Sequence, residues 1–272
     1  MTNRLEERLA ANRAEGLAGI APYITAGDGG LDTTRALLEV LEAGGASCVE
    51  LGVPFSDPIA DGPVLQAAAQ RALDSGTTLT GILDLVRAFR EDGGRMPIAL
   101  FTYANPLVRL GWEEAALRCA EAGVDAWLVP DIIPEEADTQ RAAASTHDIA
   151  PIFFVAPTSP PERIALAAGA SRGFLYAIGR VGVTGSHTAL DDSTLAFLAS
   201  VRAATELPIG VGFGLRNAEQ VQAVTAHADL AIVGSSFVQR VHEAFEGSGA
   251  STAAAALEAK NYLSELKQGL RR

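Results

Sequence analysis

The stretch CVELGVPFSDPIADGP, Cys48 to Pro63, reads as a short buried strand followed by a stiff, acidic turn. CVELG alternates so that Val49 and Leu51 share one face, while Cys48, Glu50 and Gly52 share the other. Pro54, Pro58 and Pro63 restrict the backbone beyond it, and Gly62 permits a sharp bend just before a helical pattern begins.

The same strand, turn and helix succession recurs on both sides. Before it come an amphipathic helix at about residues 2 to 13, then GIAPYIT (19 to 25) and a helix from Leu31; helical segments follow it between Val64 and Arg90. Farther on, PIALFTY (97 to 103) precedes a helix near Trp112, AWLVP (126 to 130) one from Pro134, and PIFFVAP (151 to 157) one from Pro160. GFLYAI (173 to 178) and PIGVGF (208 to 213) precede helices near Asp192 and Asn217. LAIVGSS (230 to 236) enters the last helical region, and the alanine-rich segment from 251 to 269 reads as a terminal helix on the barrel wall. Strands this apolar on both faces belong in a parallel sheet covered by helices. Eight such units predict an α/β chain folded as a single (β/α)8 TIM barrel with an extra N-terminal helix, one domain over 1–272. A doubly wound open sheet should show GxGxxG directly after its first strand, where this chain has TAGDGG.

Composition narrows the function classes. With 272 residues, 48% of them hydrophobic, the chain can bury a large core. Its 21 Lys and Arg against 33 Asp and Glu give a net charge of -12, which repels nucleic acid and anionic membranes at long range. An anionic small molecule is still compatible, because backbone N–H groups at a helix start bind phosphate without a basic side chain. Cys48 and Cys119 lie in apolar surroundings without CxxC spacing and read as core thiols. The charged N-terminus, and the lack of an apolar run of bilayer length, lead to the expectation of a soluble cytoplasmic protein.

Barrel enzymes place their sites at the C-terminal ends of the strands. Glu50 falls there; facing a largely apolar interior, its carboxyl would have a raised pKa suited to proton exchange near neutrality. The alternative is a carboxylate bonded to backbone N–H groups that ends the strand. Asp61, on the loop, could close on a substrate, or could simply be a turn residue before glycine. Asp57, in Ser56-Asp57-Pro58, reads as a turn former. Schiff-base chemistry needs a lysine at a strand end, whereas Lys260 and Lys267 sit in the terminal helix. His147, His187, His227 and His242 show no metal-ligand spacing. Two carboxylates without a metal or lysine suit a lyase or aldolase.

Glycines close the late strands in GRVGVTGS (179 to 186), VGFG (211 to 214) and VGSS (233 to 236), a pattern for a phosphate cradle. Gly214, Gly234 and Ser235 would offer N–H groups, with Gly185 closing from above; Arg180 faces either the anion or solvent. Tyr23, Phe101, Tyr103, Phe154, Tyr176 and Phe213, with Leu128 and Ile152, stand on or after strands and serve either as a pocket for a flat substrate or as ordinary barrel packing.

At these positions the chain resembles the tryptophan synthase alpha chain family. The resemblance runs in order through APYITAGD (21 to 28), ELGVPFSDPIADGP, TYANP (102 to 106), VPDIIPEE (129 to 136), GVTG (182 to 185), VGFG and VGS. It implies a (β/α)8 barrel that cleaves indole-3-glycerol phosphate to indole and glyceraldehyde 3-phosphate with no cofactor of its own. It further implies a partner beta chain that carries pyridoxal phosphate, in an alpha2beta2 tetramer. By the same resemblance Glu50 is the general acid/base, Asp61 holds the indole N–H, and Tyr176 is an auxiliary group. Tyr23, Phe101, Tyr103, Leu128 and Phe154, from the pocket reading above, would bind substrate, although Tyr23 and Phe101 stand where the family frequently has smaller or less polar residues. Phe213, Gly214, Gly234, Ser235 and Gly185 match the phosphate end, and Thr184 the loop residue that closes toward Asp61. Contacts to the beta chain would fall around Pro54 to Pro58 and near Asn105 and Pro106. A free-standing indole-glycerol phosphate lyase is the alternative within the same chemistry.

Overall fold

A computed structural model describes residues 3–179, 190–212 and 214–270. Among them nine strands form one sheet: β1 (Gly19–Thr25), β2 (Val49–Gly52), β3 (Ile98–Phe101), β4 (Ala126–Leu128), β5 (Ala150–Ile152), β6 (Phe154–Val155), β7 (Leu175–Ile178), β8 (Ile209–Gly212) and β9 (Leu230–Val233). Every pairing is parallel, in the order β5-β4-β3-β2-β1-β9-β8-β7-β6.

The two ends of that order are consecutive in the chain. PIFFVAP, read from sequence as one strand, changes partner at Phe153: up to Ile152 it pairs with β4, and from Phe154 with β7. Phe153 itself donates its N–H to Ser171 Oγ at 3.0 Å and accepts the Tyr176 N–H at 3.0 Å. The sheet therefore wraps into a TIM barrel, with one run serving as the seam.

The inward and outward faces separate as the alternation requires. Val49 and Leu51 pack outward among the surrounding helices, while Cys48 points inward with Ala99, Ala126 and Ala150. Helix Leu79–Glu91 shows why such segments cover the sheet. Its buried residues Ile82, Leu83, Val86 and Phe89 recur at helical spacing, and Thr78 caps its start by accepting the Gly81 N–H at 3.2 Å. Burying each such side chain stabilises the fold by roughly 1.5–3 kcal/mol.

The expected N-terminal helix spans Arg4–Ala14 and drives Leu5 and Leu9 into the inner cluster. The small alanines of β3, β4 and β5 leave room for them. Asn3 secures this plug: its Oδ1 accepts the Leu5 N–H at 3.0 Å, and its Nδ2 donates to the carbonyls of Asp125 and Asp148, both at 2.8 Å. Beneath lies buried Asp125, which pairs with Arg4 at 2.8 Å and Arg90 at 2.9 Å.

One helix was not legible in sequence. Residues Ala104–Val108 form a short helix directly after Tyr103, ahead of the one expected near Trp112. Its first N–H is held by Asp131, whose Oδ1 and Oδ2 accept from Ala104 at 2.9 and 3.2 Å. Among the described residues no helix is long and apolar enough to cross a membrane.

Candidate active site

Glu50 stands on β2 between Tyr23 of β1 and Ala99 of β3, which are its cross-strand neighbours. The register turns its side chain inward, and Ala99 leaves it space. The residue is 1% exposed, and its Oε1 has no hydrogen-bond partner among the described residues. Burial pushes the carboxyl up to about 8. The carboxylate bonded to strand-ending backbone N–H groups, open as an alternative from sequence, has no counterpart in this geometry. A buried, unpaired carboxyl is costly as an anion, so it holds its proton at neutral pH.

Asp61 reaches the same space from the loop between β2 and helix Pro63–Asp74. Both acids line a cavity of about 300 Å³ at the mouth of the barrel. Burial raises the Asp61 carboxyl, and a hydrogen bond from Tyr103 partly offsets that rise. Tyr103 also accepts the Ala60 N–H at 2.9 Å and stacks on Phe55, with ring centroids 5.2 Å apart. Burial, and after it the neighbouring Asp61, pushes the Tyr103 hydroxyl up to about 12, so it remains a donor to the carboxylate. Asp57, on the outer part of the loop, accepts from the Ser56 hydroxyl at 2.5 Å and its carbonyl accepts the Ile59 N–H at 2.9 Å, the pattern of a turn.

Four aromatic rings cross the mouth in sequence. Tyr23 meets Phe101 edge-on at 5.6 Å, Phe101 meets Phe154 at 6.1 Å, and Phe154 meets Tyr176 at 4.8 Å. Two glycines make room for the phenols. A Cβ on Gly52 would lie 2.0 Å from the Tyr23 hydroxyl, and one on Gly212 would lie 2.6 Å from that of Tyr176. Burial raises both hydroxyls, so they are neutral donors at any ordinary pH.

The opposite wall is made by Gly212, Gly214, Gly234 and Ser235. Gly234 precedes helix Ser235–Gly247, whose first turn carries no acidic side chain. The backbone N–H groups at a helix start and the helix dipole suit an anion.

The structure thus brings Tyr23, Glu50, Asp61, Phe101, Phe154, Tyr176, Gly214, Gly234 and Ser235 to one cavity. Tyr103 touches Asp61 from outside the cavity wall, and Leu128 is packed in the inner cluster rather than at the wall. Thr184, Gly185 and Phe213, with Arg180, lie outside the described residues. Ala60, Leu65, Pro130, Ile178, Gly212 and Ile232 also line the cavity and were not singled out from sequence. Alternation along LAIVG already places Leu230, Ile232 and Gly234 on one face, a usable signal for Ile232. Leu65 and Pro130 reach the site only through tertiary packing.

Comparison with known proteins agrees with this geometry. A family model described as tryptophan synthase alpha chain matches residues 9–270. The tryptophan synthase alpha chain of Alkalilimnicola ehrlichii is 48% identical over 239 residues, covering 88% of this chain and 87% of that one. The alpha chain of Solibacter usitatus is 42% identical over 257 residues, covering 94% of each. Among solved structures, tryptophan synthase subunit alpha from Legionella pneumophila str. Paris superposes with a TM-score of 0.90 at 32% identity over 99% of both chains. A chain of Mycobacterium tuberculosis tryptophan synthase superposes with a TM-score of 0.87 at 33% identity over the full length of both. With nearly the whole chain matched in sequence and in fold, the protein belongs to the tryptophan synthase alpha chain family.

Proposed function

We propose that this chain is a carbon-carbon lyase that cleaves indole-3-glycerol phosphate to indole and D-glyceraldehyde 3-phosphate. The observation that carries the reading is a buried Glu50, its carboxyl pushed up to about 8 by burial, facing the same cavity as Asp61. The Glu50 carboxylic acid protonates indole C3, and the ring becomes a cation with its positive charge shared by N1. Asp61, as carboxylate, accepts the N1–H hydrogen bond and stabilises that cation. The bond between C3 and the glycerol carbon then breaks, its electron pair returning to the ring as indole. The hydroxyl on the departing carbon becomes the aldehyde and gives its proton to the Glu50 carboxylate, which restores the acid. No electron sink is needed in this chain, because ring protonation supplies one. Tyr176 lies against the reacting carbons as an auxiliary donor, and the aromatic rings form the indole slot.

Gly214, Gly234 and Ser235 would hold the substrate phosphate, together with Phe213, Gly185 and Thr184 outside the described residues. The beta chain of the enzyme, carrying pyridoxal phosphate in a cytoplasmic alpha2beta2 assembly, would receive the indole. Support for docking at the loop comes from Ile59, which is 84% exposed, and Val108, which is 50% exposed, on segments that meet at Tyr103.

The test is release of indole from indole-3-glycerol phosphate by the purified chain, with and without the beta chain. Slow release alone and much faster release in the complex is the expected result. No release in either condition removes the reading, and equal rates would make the chain a free-standing lyase. Tyr103→Phe, which unties Ala60 and Asp61, is expected to slow the reaction about 5-fold, as loss of one net hydrogen bond of roughly 1 kcal/mol implies. An unchanged rate would show that the loop is held by other contacts.

A further inference from the structure

Outside the cavity, one nearly buried ion pair takes no part in the scheme above. Arg71, on helix Pro63–Asp74, donates from Nε and Nη2 to Asp28 Oδ1 and Oδ2, each at 2.7 Å. The Asp28 side chain is only 12% exposed. The turn that carries Asp28 is itself fixed: the Gly27 N–H donates to Thr34 Oγ1 at 2.8 Å, and the Gly27 carbonyl accepts from Ser75 Oγ at 3.3 Å. His242 Nδ1, on the helix that starts at the phosphate wall, lies 3.9 Å from Asp28 Oδ1.

Helix Pro63–Asp74 begins immediately after Asp61 and Gly62, and Asp61 is tied to it. Gln66 Nε2 donates to the Asp61 carbonyl at 2.9 Å, and the Gln66 N–H donates to the Gly62 carbonyl at 3.0 Å. Asp61 is therefore tied to the start of this helix as well as to Tyr103. Besides the Ser75 hydroxyl on the Gly27 carbonyl, an apolar and a polar contact set the helix on the barrel. In the apolar one Ala68 packs with Tyr23 and Val238; the polar one is the Arg71 fork on Asp28. An apolar contact permits sliding, whereas a bidentate fork fixes direction.

We propose that Asp28 and Arg71 form a positioning pair that sets the Asp61 carboxylate against the substrate. The inference rests on the reaction proposed above. At 1.5 Å per residue Arg71 lies about 12 Å along the axis from Pro63, so a tilt of about 5° displaces the Asp61 end by about 1 Å. A displacement of that size costs catalysis on the order of 10²-fold when geometry is tight.

The experiment measures kcat, KM for indole-3-glycerol phosphate and the thermal midpoint in the complex with the beta chain. Asp28→Asn keeps the side-chain size and removes the charge. It is expected to lower kcat about 10-fold with KM within twofold and the midpoint within a few degrees. Arg71→Lys, which keeps the charge and loses the fork, should fall between it and wild type. The double variant Asp28→Asn with Arg71→Gln should be no slower than Asp28→Asn, as one shared interaction requires. An unchanged kcat in Asp28→Asn overturns the proposal. So does a loss in which KM rises in step and the midpoint collapses, since that marks general loosening. If Asp28→Asn does not fold, Arg71→Lys decides by the same kcat against KM criterion. An inactive wild type would instead remove the reaction itself.

Discussion

Glu50→Gln is expected to slow indole formation about 10³-fold, within the usual range of a lost general acid/base. Glutamine fills the same space and can donate a hydrogen bond, but it carries no transferable proton. Steady-state indole release from indole-3-glycerol phosphate is the measurement, and retention of a tenth of the wild-type rate would remove Glu50 from proton transfer. Because the acid form starts the reaction, the wild-type rate should fall as pH rises through about 8.

The same substitution has an opposite effect on stability. The Glu50 carboxyl is raised from 4.5 to about 8 by burial, so the folded state binds its proton more tightly than the unfolded chain does. That contribution is complete below the unfolded value and is lost progressively as pH climbs through the folded one. Above pH 8 wild type holds a buried, unpaired charge that Glu50→Gln lacks. The variant should then be more stable by roughly 2–4 kcal/mol, with the difference shrinking toward pH 5. Thermal unfolding at pH 5 and pH 9 measures it, and equal midpoints at both would mean that Glu50 is not desolvated in solution. An enzyme slowed and stabilised by one change is the expected signature of a strained catalytic acid.

Asp61→Asn should cost about 10²–10³-fold in turnover, the scale of removing one electrostatic partner from a developing charge. Asparagine can still accept the indole N–H, so KM should change far less than kcat. What disappears is the negative charge that opposes the ring cation. Stability should hardly fall, because burial already raises the Asp61 carboxyl and makes its charge unfavourable in the fold. A variant that loses affinity and keeps its turnover would recast Asp61 as a binding residue only.

Much of this was legible along the chain. The alternation in CVELG placed Glu50 opposite Val49 and Leu51, and the barrel interior received it for that reason. The repeated apolar runs, each followed by a helical pattern, were enough to count the staves. The short helix at Ala104–Val108 was not legible, since its cap comes from Asp131 in a distant loop. Nor was the status of Asp61, which local pattern left balanced between turn and site.

By itself, the sequence determined the faces: periodicity is a local property, and burying one side of each strand and helix follows directly from it. It also pointed to backbone N–H groups at glycine-ended strands as a cradle for an anion. Only the tertiary structure decided the partners. It closed the barrel at Phe153, buried Glu50, set Tyr103 against Asp61, and locked Arg71 onto Asp28. Each of these joins residues far apart in the chain, and their contact energies arise only once packing has brought the segments together.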